Sequence, residues 1–276
     1  MKFLLYILIF INFALVSNKI FAAECSAEPI SDPTDCYRVP DLYQITLHEL
    51  GFCNNLSPTN STLPDISSSC HTTYNNSSGF QVAVENNSSS AISGGNPSRP
   101  PNNTYNYGYI KVDAKVILKS SHTFLADQTG SNSGTGKTCW TNGNNATQNT
   151  VDCGSAESAN PQNMEVDIVG LNCQTTPRGA QFYCQYENDA EGLDNTYAWL
   201  VDADGNISTS SNYSENSGDV KYLIGVATYN SPLTVNDSTQ GGEAQFRVTR
   251  GLRIITNGDG KINYNIQEFK VLTSVY

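Results

Sequence analysis

Charge, histidine and tryptophan are all scarce in this chain of 276 residues. Only 15% of the residues are charged, and 15 basic residues stand against 26 acidic ones, which gives a net charge of −11. A surface so poor in lysine and arginine lacks the basic patch that phosphate contacts require, so nucleic acid is excluded as a partner. The three histidines are scattered, and no HExxH or G-x-S-x-G spacing occurs, so no hydrolase motif is visible.

Long hydrophobic runs are equally rare, and the one that exists is at the N-terminus. Lys2 precedes the apolar run Phe3–Val16, and Ala22 supplies a small residue at a cleavage point. This pattern predicts a secretory signal peptide over residues 1–22. We therefore expect residues 23–276 to form a single exported domain with long polar loops and no integral membrane segment. The protein is expected to be secreted, periplasmic or at the cell surface.

The eight cysteines all lie beyond the predicted signal peptide. An even number of cysteines in an exported chain favours disulfides, because oxidising compartments let them persist. Eight cysteines allow 105 pairings, so connectivity does not follow from the count. Sequential pairing is the prediction, and a zinc site is the alternative, although no CxxC occurs. The predicted pairs are Cys25–Cys36, Cys53–Cys70, Cys139–Cys153 and Cys173–Cys184.

Apolar residues alternate along the chain, and no window shows sustained helical periodicity. Leu42–Cys53 alternates up to Leu47 and slips near Glu49, as a bulge would. Tyr109–Lys119 is the clearest strand, with its even-numbered residues apolar. The other candidates are Phe80–Val84, Met164–Leu171, Gln181–Tyr186, Tyr197–Val201, Val220–Tyr229, Ala244–Thr249, Leu252–Ile255 and Lys261–Leu272. About ten strands with polar turns predict an all-β antiparallel β-sandwich, jelly-roll or immunoglobulin-like, with disulfide-stapled loops.

Two carboxylates on one predicted strand are the candidate catalytic residues. Glu165 and Asp167 point to the same side of an extended strand, so both could line a groove. Residues 165–170 (EVDIVG) resemble part of the E-x-D-x-x-E strand of the jelly-roll laminarinase and endo-glucanase family. In that family the first glutamate is the nucleophile and the last is the acid. Here Gly170 stands in the place of the acid, so an outward-facing acidic pair is the alternative interpretation.

Three tyrosines form the candidate ligand-binding stripe. Tyr105, Tyr107 and Tyr109 alternate, so they would share one face of an extended strand. Exposed rings of this kind stack on the apolar faces of sugars or peptides. The alternative is that these rings pack beneath a loop or the second sheet.

Two segments rich in Asp, Asn and Gly carry turn chemistry, which predicts hairpins at Asp202–Asn206 and Asn257–Gly260. In the first, Asp202, Asp204 and Asn206 occupy the first three oxygen positions of a calcium loop. The loop lacks its later glycine and glutamate, so the turn itself is the competing interpretation. No cofactor is expected, and calcium is the one ion that the sequence leaves open.

Two further stretches carry a resemblance. They are Tyr43-x-Ile45-x-Leu47-x-x-Leu50-x-x-Cys53, and Tyr105–Phe124 followed by Thr138–Thr141. They resemble uncharacterised exported β-rich proteins of marine alphaproteobacteria of the SAR11 type. In those proteins an early strand ends in a cysteine and a central strand precedes a cysteine loop. The resemblance implies a periplasmic or surface location and supplies no functional residue.

These observations predict a non-enzymatic structural or binding protein of the periplasm or cell surface, either an adhesion module or an extracellular filament subunit. Its partners would be further copies of the chain or a surface glycan. Ala23–Pro40 is the candidate strand donor for self-association, and removal of Ala23–Ser31 is expected to leave the sandwich folded. The alternative is a carbohydrate-active jelly-roll protein, glucanase-like or sugar-binding, that uses Glu165 and Asp167.

Overall fold

The computed structural model describes residues 23–59, 62–84, 92, 94–143, 150–167, 174–175, 182–187, 193–207, 220–267 and 269–276, so the predicted signal peptide lies outside the described residues. The described residues are almost entirely β, with one short helix, α1 (Ile66–Ser69), and a 3-10 turn at Ala156–Ser158. The strands are β1 (Ala23–Glu24), β2 (Asp35–Arg38), β3 (Leu42–Cys53), β4 (Cys70–Ala83), β5 (Asn96–Pro97), β6 (Asn103–Lys119), β7 (Ser121–Gly130), β8 (Thr135–Thr141), β9 (Val151–Gly154), β10 (Met164–Asp167), β11 (Gln174–Thr175), β12 (Phe182–Glu187), β13 (Leu193–Val201), β14 (Tyr222–Val235), β15 (Gly242–Arg247), β16 (Leu252–Thr256), β17 (Lys261–Ile266) and β18 (Lys270–Val275).

The strands form two sheets and a separate pair. In the large sheet the order is β11-β12-β13-β14-β6-β3-β4-β5, with β10 also paired to β6. In the small sheet it is β1-β2-β16-β17-β7-β8-β9. Strands β15 and β18 pair only with each other among the described strands, and we call this pair the ribbon. Most pairings are antiparallel, as predicted, and the exceptions are β1 with β2 and β17 with β7.

Strands β3 and β6 form the centre of the large sheet, and both match their predicted patterns. On β6 every even-numbered residue from Ile110 to Leu118 is buried, because alternate side chains of a strand face the same side. On β3 the register shifts between Leu47 and Glu49, where the sequence predicts a bulge.

One hydrophobic cluster draws side chains from both sheets, so the sheets pack together over a shared core. Leu118 and Ile45 come from the large sheet, and Phe124 and Tyr264 come from the small sheet. Tyr264 is fully buried, and its hydroxyl donates to the carbonyl of Cys139 at 2.7 Å. Burial raises the pKa of Tyr264 well above its ordinary value. Its ring and its hydroxyl therefore both hold β17 against β8.

Three disulfides form among the described residues, and all three match the predicted pairs. Cys53–Cys70 joins β3 to β4, and Cys139–Cys153 joins β8 to β9, each between directly opposite residues. Cys25–Cys36 joins the segment after β1 to β2. The fourth predicted pair includes Cys173, which lies outside the described residues. Multiple disulfides indicate an oxidising, extracytoplasmic compartment.

Within the described ranges, none of the helices has the length and apolar character needed to cross a lipid bilayer.

The prediction of a single strand over Lys261–Leu272 is wrong. The segment breaks at Gln267 into β17 of the small sheet and β18 of the ribbon. Apolar residues recur at alternate positions before and after Gln267, but this pattern does not show that the two parts belong to different sheets. The hairpin predicted at Asn257–Gly260 does connect β16 to β17, and the Asn257 N–H donates to the Lys261 carbonyl at 2.9 Å.

Residues 23–34, which we call the strap, pack into the fold, and the expectation that the sandwich folds without Ala23–Ser31 stays a prediction. Ile30 of the strap is fully buried. Its N–H donates to the Thr123 carbonyl at 2.8 Å, and its carbonyl accepts from the Leu125 N–H at 2.9 Å. The segment proposed as a strand donor is therefore already paired within its own chain.

Candidate functional site

A cavity of about 500 Å³ lies against the large sheet. Its floor crosses five neighbouring strands, β4, β3, β6, β14 and β13. Small residues contribute to this floor, among them Gly51, Gly108, Ala198 and Gly225. Gly51 has no room for a side chain, because a Cβ atom there would lie 2.2 Å from Cε1 of Tyr109. Gly51 and Gly108 thus make room for the rings of Tyr109 and Tyr229, and the cavity lies beside these rings.

The ribbon supplies a second wall of the cavity through Ala244, Val271, Thr273 and Val275. The Thr273 hydroxyl is hydrogen-bonded to the hydroxyl of Tyr229, which lies on β14. Burial raises the pKa of Tyr229 to about 12, so its hydroxyl stays protonated at physiological pH. This hydrogen bond ties the ribbon to the large sheet beside the cavity.

The lining residues that the structure describes are mainly aliphatic and aromatic, and the charged ones among them are Arg99, Lys270 and Glu243. Arg99 is exposed and follows β5, the edge strand of the large sheet. Its guanidinium donates to Oδ1 of Asn102 at 2.9 Å and to the carbonyl of Asn236 at 2.8 Å. The cavity thus combines an apolar interior with a positioned cation at one end.

The candidate catalytic pair lies elsewhere. Glu165 is on β10 and forms an ion pair with Lys115, whose Nζ lies 2.7 Å from Oε1. Glu165 is not among the residues that line the cavity. The backbone of Asp167 pairs with Lys115 in the β6–β10 ladder, and position 170, where the acid would be needed, lies outside the described residues. Glu165 therefore lies in a surface ion pair of the kind an outward-facing strand provides.

The three tyrosines do not form one exposed stripe. Tyr105 packs with Phe52 in one small cluster, while Tyr109 belongs to another, which includes Trp199. Tyr105 and Tyr109 are each 3% exposed, and Tyr107 is half-buried. Burial raises the pKa of Tyr109 to about 12. Of the three, Tyr109 is the one that lines the cavity.

The candidate calcium residues form a closed turn. Oδ1 of Asp202 accepts the backbone N–H groups of Asp204 and Asn206, both at 2.9 Å. The N–H of Asn206, together with the other donors of the turn, lowers the pKa of the Asp202 carboxyl. In the part of the chain that the structure describes, no cluster of three or more His, Cys, Asp or Glu side chains could hold a metal ion. The carboxylate of Asp202 serves the backbone of its own turn.

A chain of hydrogen bonds that the sequence does not reveal links the exposed Glu28 of the strap to the buried His122 and Ser120. Nδ1 of His122 donates to Oε1 of Glu28 at 2.8 Å, because a carboxylate only accepts. Nε2 of the same ring is hydrogen-bonded to Oγ of Ser120, also at 2.8 Å. The order serine–histidine–carboxylate is that of hydrolytic triads. However, Ser120 has no exposed surface and does not line the cavity, so these residues fasten the strap instead.

We expect the hydrogen bond between Glu28 and His122 to stabilise the fold less in acid. The hydrogen bond from His122 lowers the pKa of Glu28, and nearby Arg38 lowers it further. Because the folded-state pKa lies below the unfolded one, the stabilisation is complete above the ordinary glutamate pKa. It is lost as the pH falls from there through the lower folded value. Urea unfolding of wild type and Glu28→Gln should differ most near neutral pH and converge between about pH 5 and about pH 3.

An exposed carboxylate provides the control for this experiment. Asp259→Asn removes an exposed carboxyl group from the turn between β16 and β17 and leaves the strap untouched. A stability difference between wild type and Glu28→Gln that stays constant down to about pH 3 would show that Glu28 does not titrate with folding.

No family model, no curated protein and no solved structure matches the chain. The function is therefore inferred from the cavity and its chemistry alone.

Proposed function

We propose that this chain is an exported, non-enzymatic binding protein that holds a small, mainly apolar ligand in the cavity between the large sheet and the ribbon. The observation that carries the proposal is the cavity itself, which at about 500 Å³ lies inside the range of roughly 300–1,000 Å³ typical of small-molecule sites. Its apolar interior and few polar groups also match such sites. The three disulfides support a secreted, periplasmic or cell-surface location.

Binding of a ligand is better supported than assembly into a filament. Strand donation needs a free segment, and the strap is already paired and cross-linked within its own chain. A glucanase-like or sugar-binding role through Glu165 has less support, because that carboxylate is paired with Lys115 away from the cavity. Adhesion through a surface glycan also has less support, because Tyr105 and Tyr109, whose rings would stack on a sugar, are buried.

For the finer architecture we propose a jelly-roll or immunoglobulin-like sandwich, supported by two mainly antiparallel sheets that share one core. We also propose kinship with the exported β-rich proteins of SAR11-type bacteria, on the strands around Tyr43 and Tyr109.

The proposal is tested by filling the cavity. Ala198 lies on the floor and is buried, so Ala198→Phe places a ring in the ligand space. Wild type should bind the neutral fluorescent probe N-phenyl-naphthylamine in a saturable manner, and Ala198→Phe should reduce the affinity at least about tenfold. Gly225→Val fills the floor from the neighbouring strand, where a new Cβ would lie 3.1 Å from the nearest atom, Cγ2 of Ile110. It should have the same effect.

Leu125→Ser is the matched control, because Leu125 is 59% exposed and outside the cavity. It should leave probe binding unchanged. Thermal unfolding of each variant establishes that it is folded. Equal probe binding by wild type and both folded cavity variants would refute the proposal.

A further inference from the structure

The cavity spans much of the large sheet. It runs from Tyr74 on β4 to Ala198 on β13, across four strand spacings, which amounts to about 19 Å. Along β14 its lining extends from Leu223 to Val235. This length accommodates an extended hydrocarbon chain.

One part of the cavity rim is polar and positively charged. Ser98 and Arg99 follow β5 and line the cavity. The Ser98 N–H donates to the Thr73 carbonyl of β4 at 2.8 Å, while the Arg99 guanidinium donates to the carbonyl of Asn236, which follows β14. Among the described residues, the hydrogen-bond acceptors of Arg99 are uncharged, namely two carbonyls and the amide of Asn102. The Asp237 carboxylate does not contact Arg99 directly but accepts a hydrogen bond from the side-chain amide of Asn102. The guanidinium is thus oriented by neutral groups and keeps its full charge for a ligand.

The balance of charge in the lining contrasts with that of the whole chain. Among the described lining residues, the cations are Arg99 and Lys270 and the anion is Glu243. The chain as a whole has 15 basic residues against 26 acidic ones. A cationic end on a low-dielectric cavity strengthens the attraction for an anion and repels a cationic head group.

We propose that the ligand is a single-chain amphiphile with a carboxylate head, such as a fatty acid, whose chain lies on the apolar floor and whose carboxylate lies at Arg99. This proposal rests on the proposed function and adds the chemical class of the ligand. The apolar floor around Ile110, Ala198 and Leu223 buries the chain. Arg99 can give the carboxylate a charge-assisted hydrogen bond at the rim.

Three probes with the same ten-carbon chain test this proposal: decanoate, decanol and decyltrimethylammonium. Displacement of N-phenyl-naphthylamine, below the micelle concentration, should rank decanoate first and the cationic probe last. A hydrogen bond to a charged group predicts that Arg99→Gln weakens decanoate at least about tenfold and leaves decanol within about twofold. Arg99→Lys, which keeps the charge, should recover part of the loss. Arg250→Gln removes an exposed arginine outside the cavity and is the control.

The outcomes separate the two proposals. If decanol and decanoate bind equally and Arg99→Gln changes neither, the carboxylate assignment is wrong while binding in the cavity stands. If decyltrimethylammonium binds most tightly, the head group of the ligand is positively charged and the carboxylate assignment is wrong. If none of the three displaces the fluorescent probe and the probe does not bind, the proposed function itself fails. If Arg250→Gln weakens decanoate as much as Arg99→Gln does, the effect is one of net charge and the assignment is overturned.

Discussion

A chain that ends after Asn263 is expected not to fold cooperatively. The truncation removes Tyr264 and Ile266, which are buried in the core shared by the two sheets, together with all of β18. Each large buried side chain contributes roughly 1.5–3 kcal/mol. The hydrogen bond from Tyr264 to Cys139 is lost as well. Against a net stability of roughly 5–15 kcal/mol, these losses leave no stable fold.

Calorimetric and circular-dichroism melts of the truncated chain should show no cooperative transition. Tyr276→Ser is the control, because the Tyr276 ring is 70% exposed and its backbone carbonyl still accepts from Gln240 and Gly241. A sharp transition in the truncated chain, at a temperature near that of Tyr276→Ser, would show that β17 and β18 are accessory to the core.

Removing Ala23–Ser31 is expected to lower the free energy of unfolding by about 4–7 kcal/mol. Burial of Ile30 contributes roughly 1.5–3 kcal/mol, and a disulfide typically contributes roughly 2–4 kcal/mol. The hydrogen bond of Glu28 to His122 is lost in addition. Much of the stability of an average domain would therefore be removed.

Two smaller changes separate the contribution of the disulfide from that of Ile30 to this loss of stability. The double variant Cys25→Ala, Cys36→Ala removes the cross-link alone, and Ile30→Ala, which keeps the backbone pairing, is expected to cost about 2–5 kcal/mol. Urea unfolding of the three variants measures each part. If the deletion costs no more than the double cysteine variant, the strap contributes only its disulfide, and its burial is not part of the stability.

Strand positions are predictable here because they depend on local alternation. β3, β6 and the β16–β17 hairpin all follow from a repeat of two residues interrupted by bulge or turn residues. The disulfides are predictable because each confirmed pair closes a short loop. The sequence also indicates a register shift at Gln267. Alternation shows which side chains share a face of a strand, but not which sheet a strand joins, so the change of sheet at Gln267 was not predictable.

The cavity was not predictable, since its walls come from segments that are far apart in sequence. Arg99 and Ala198 lie in unrelated loops and strands, and the other floor residues are partly glycines, which carry no chemical signature. The one available signal is Gly225 inside the predicted strand Val220–Tyr229, because a glycine within a strand marks close approach or open space. The contact of His122 with Glu28 spans 94 residues and leaves no local pattern either.

The central claim, that the cavity binds an apolar ligand, is tested most directly by nuclear Overhauser contacts between bound decanol and protein methyl groups. We expect contacts from the chain of decanol to the methyl groups of Ile110, Leu223 and Val271, which lie in the floor and the ribbon wall of the cavity. These contacts should disappear in Ala198→Phe. Contacts confined to exposed methyl groups such as those of Leu125, or none at all at saturating decanol, would contradict the account.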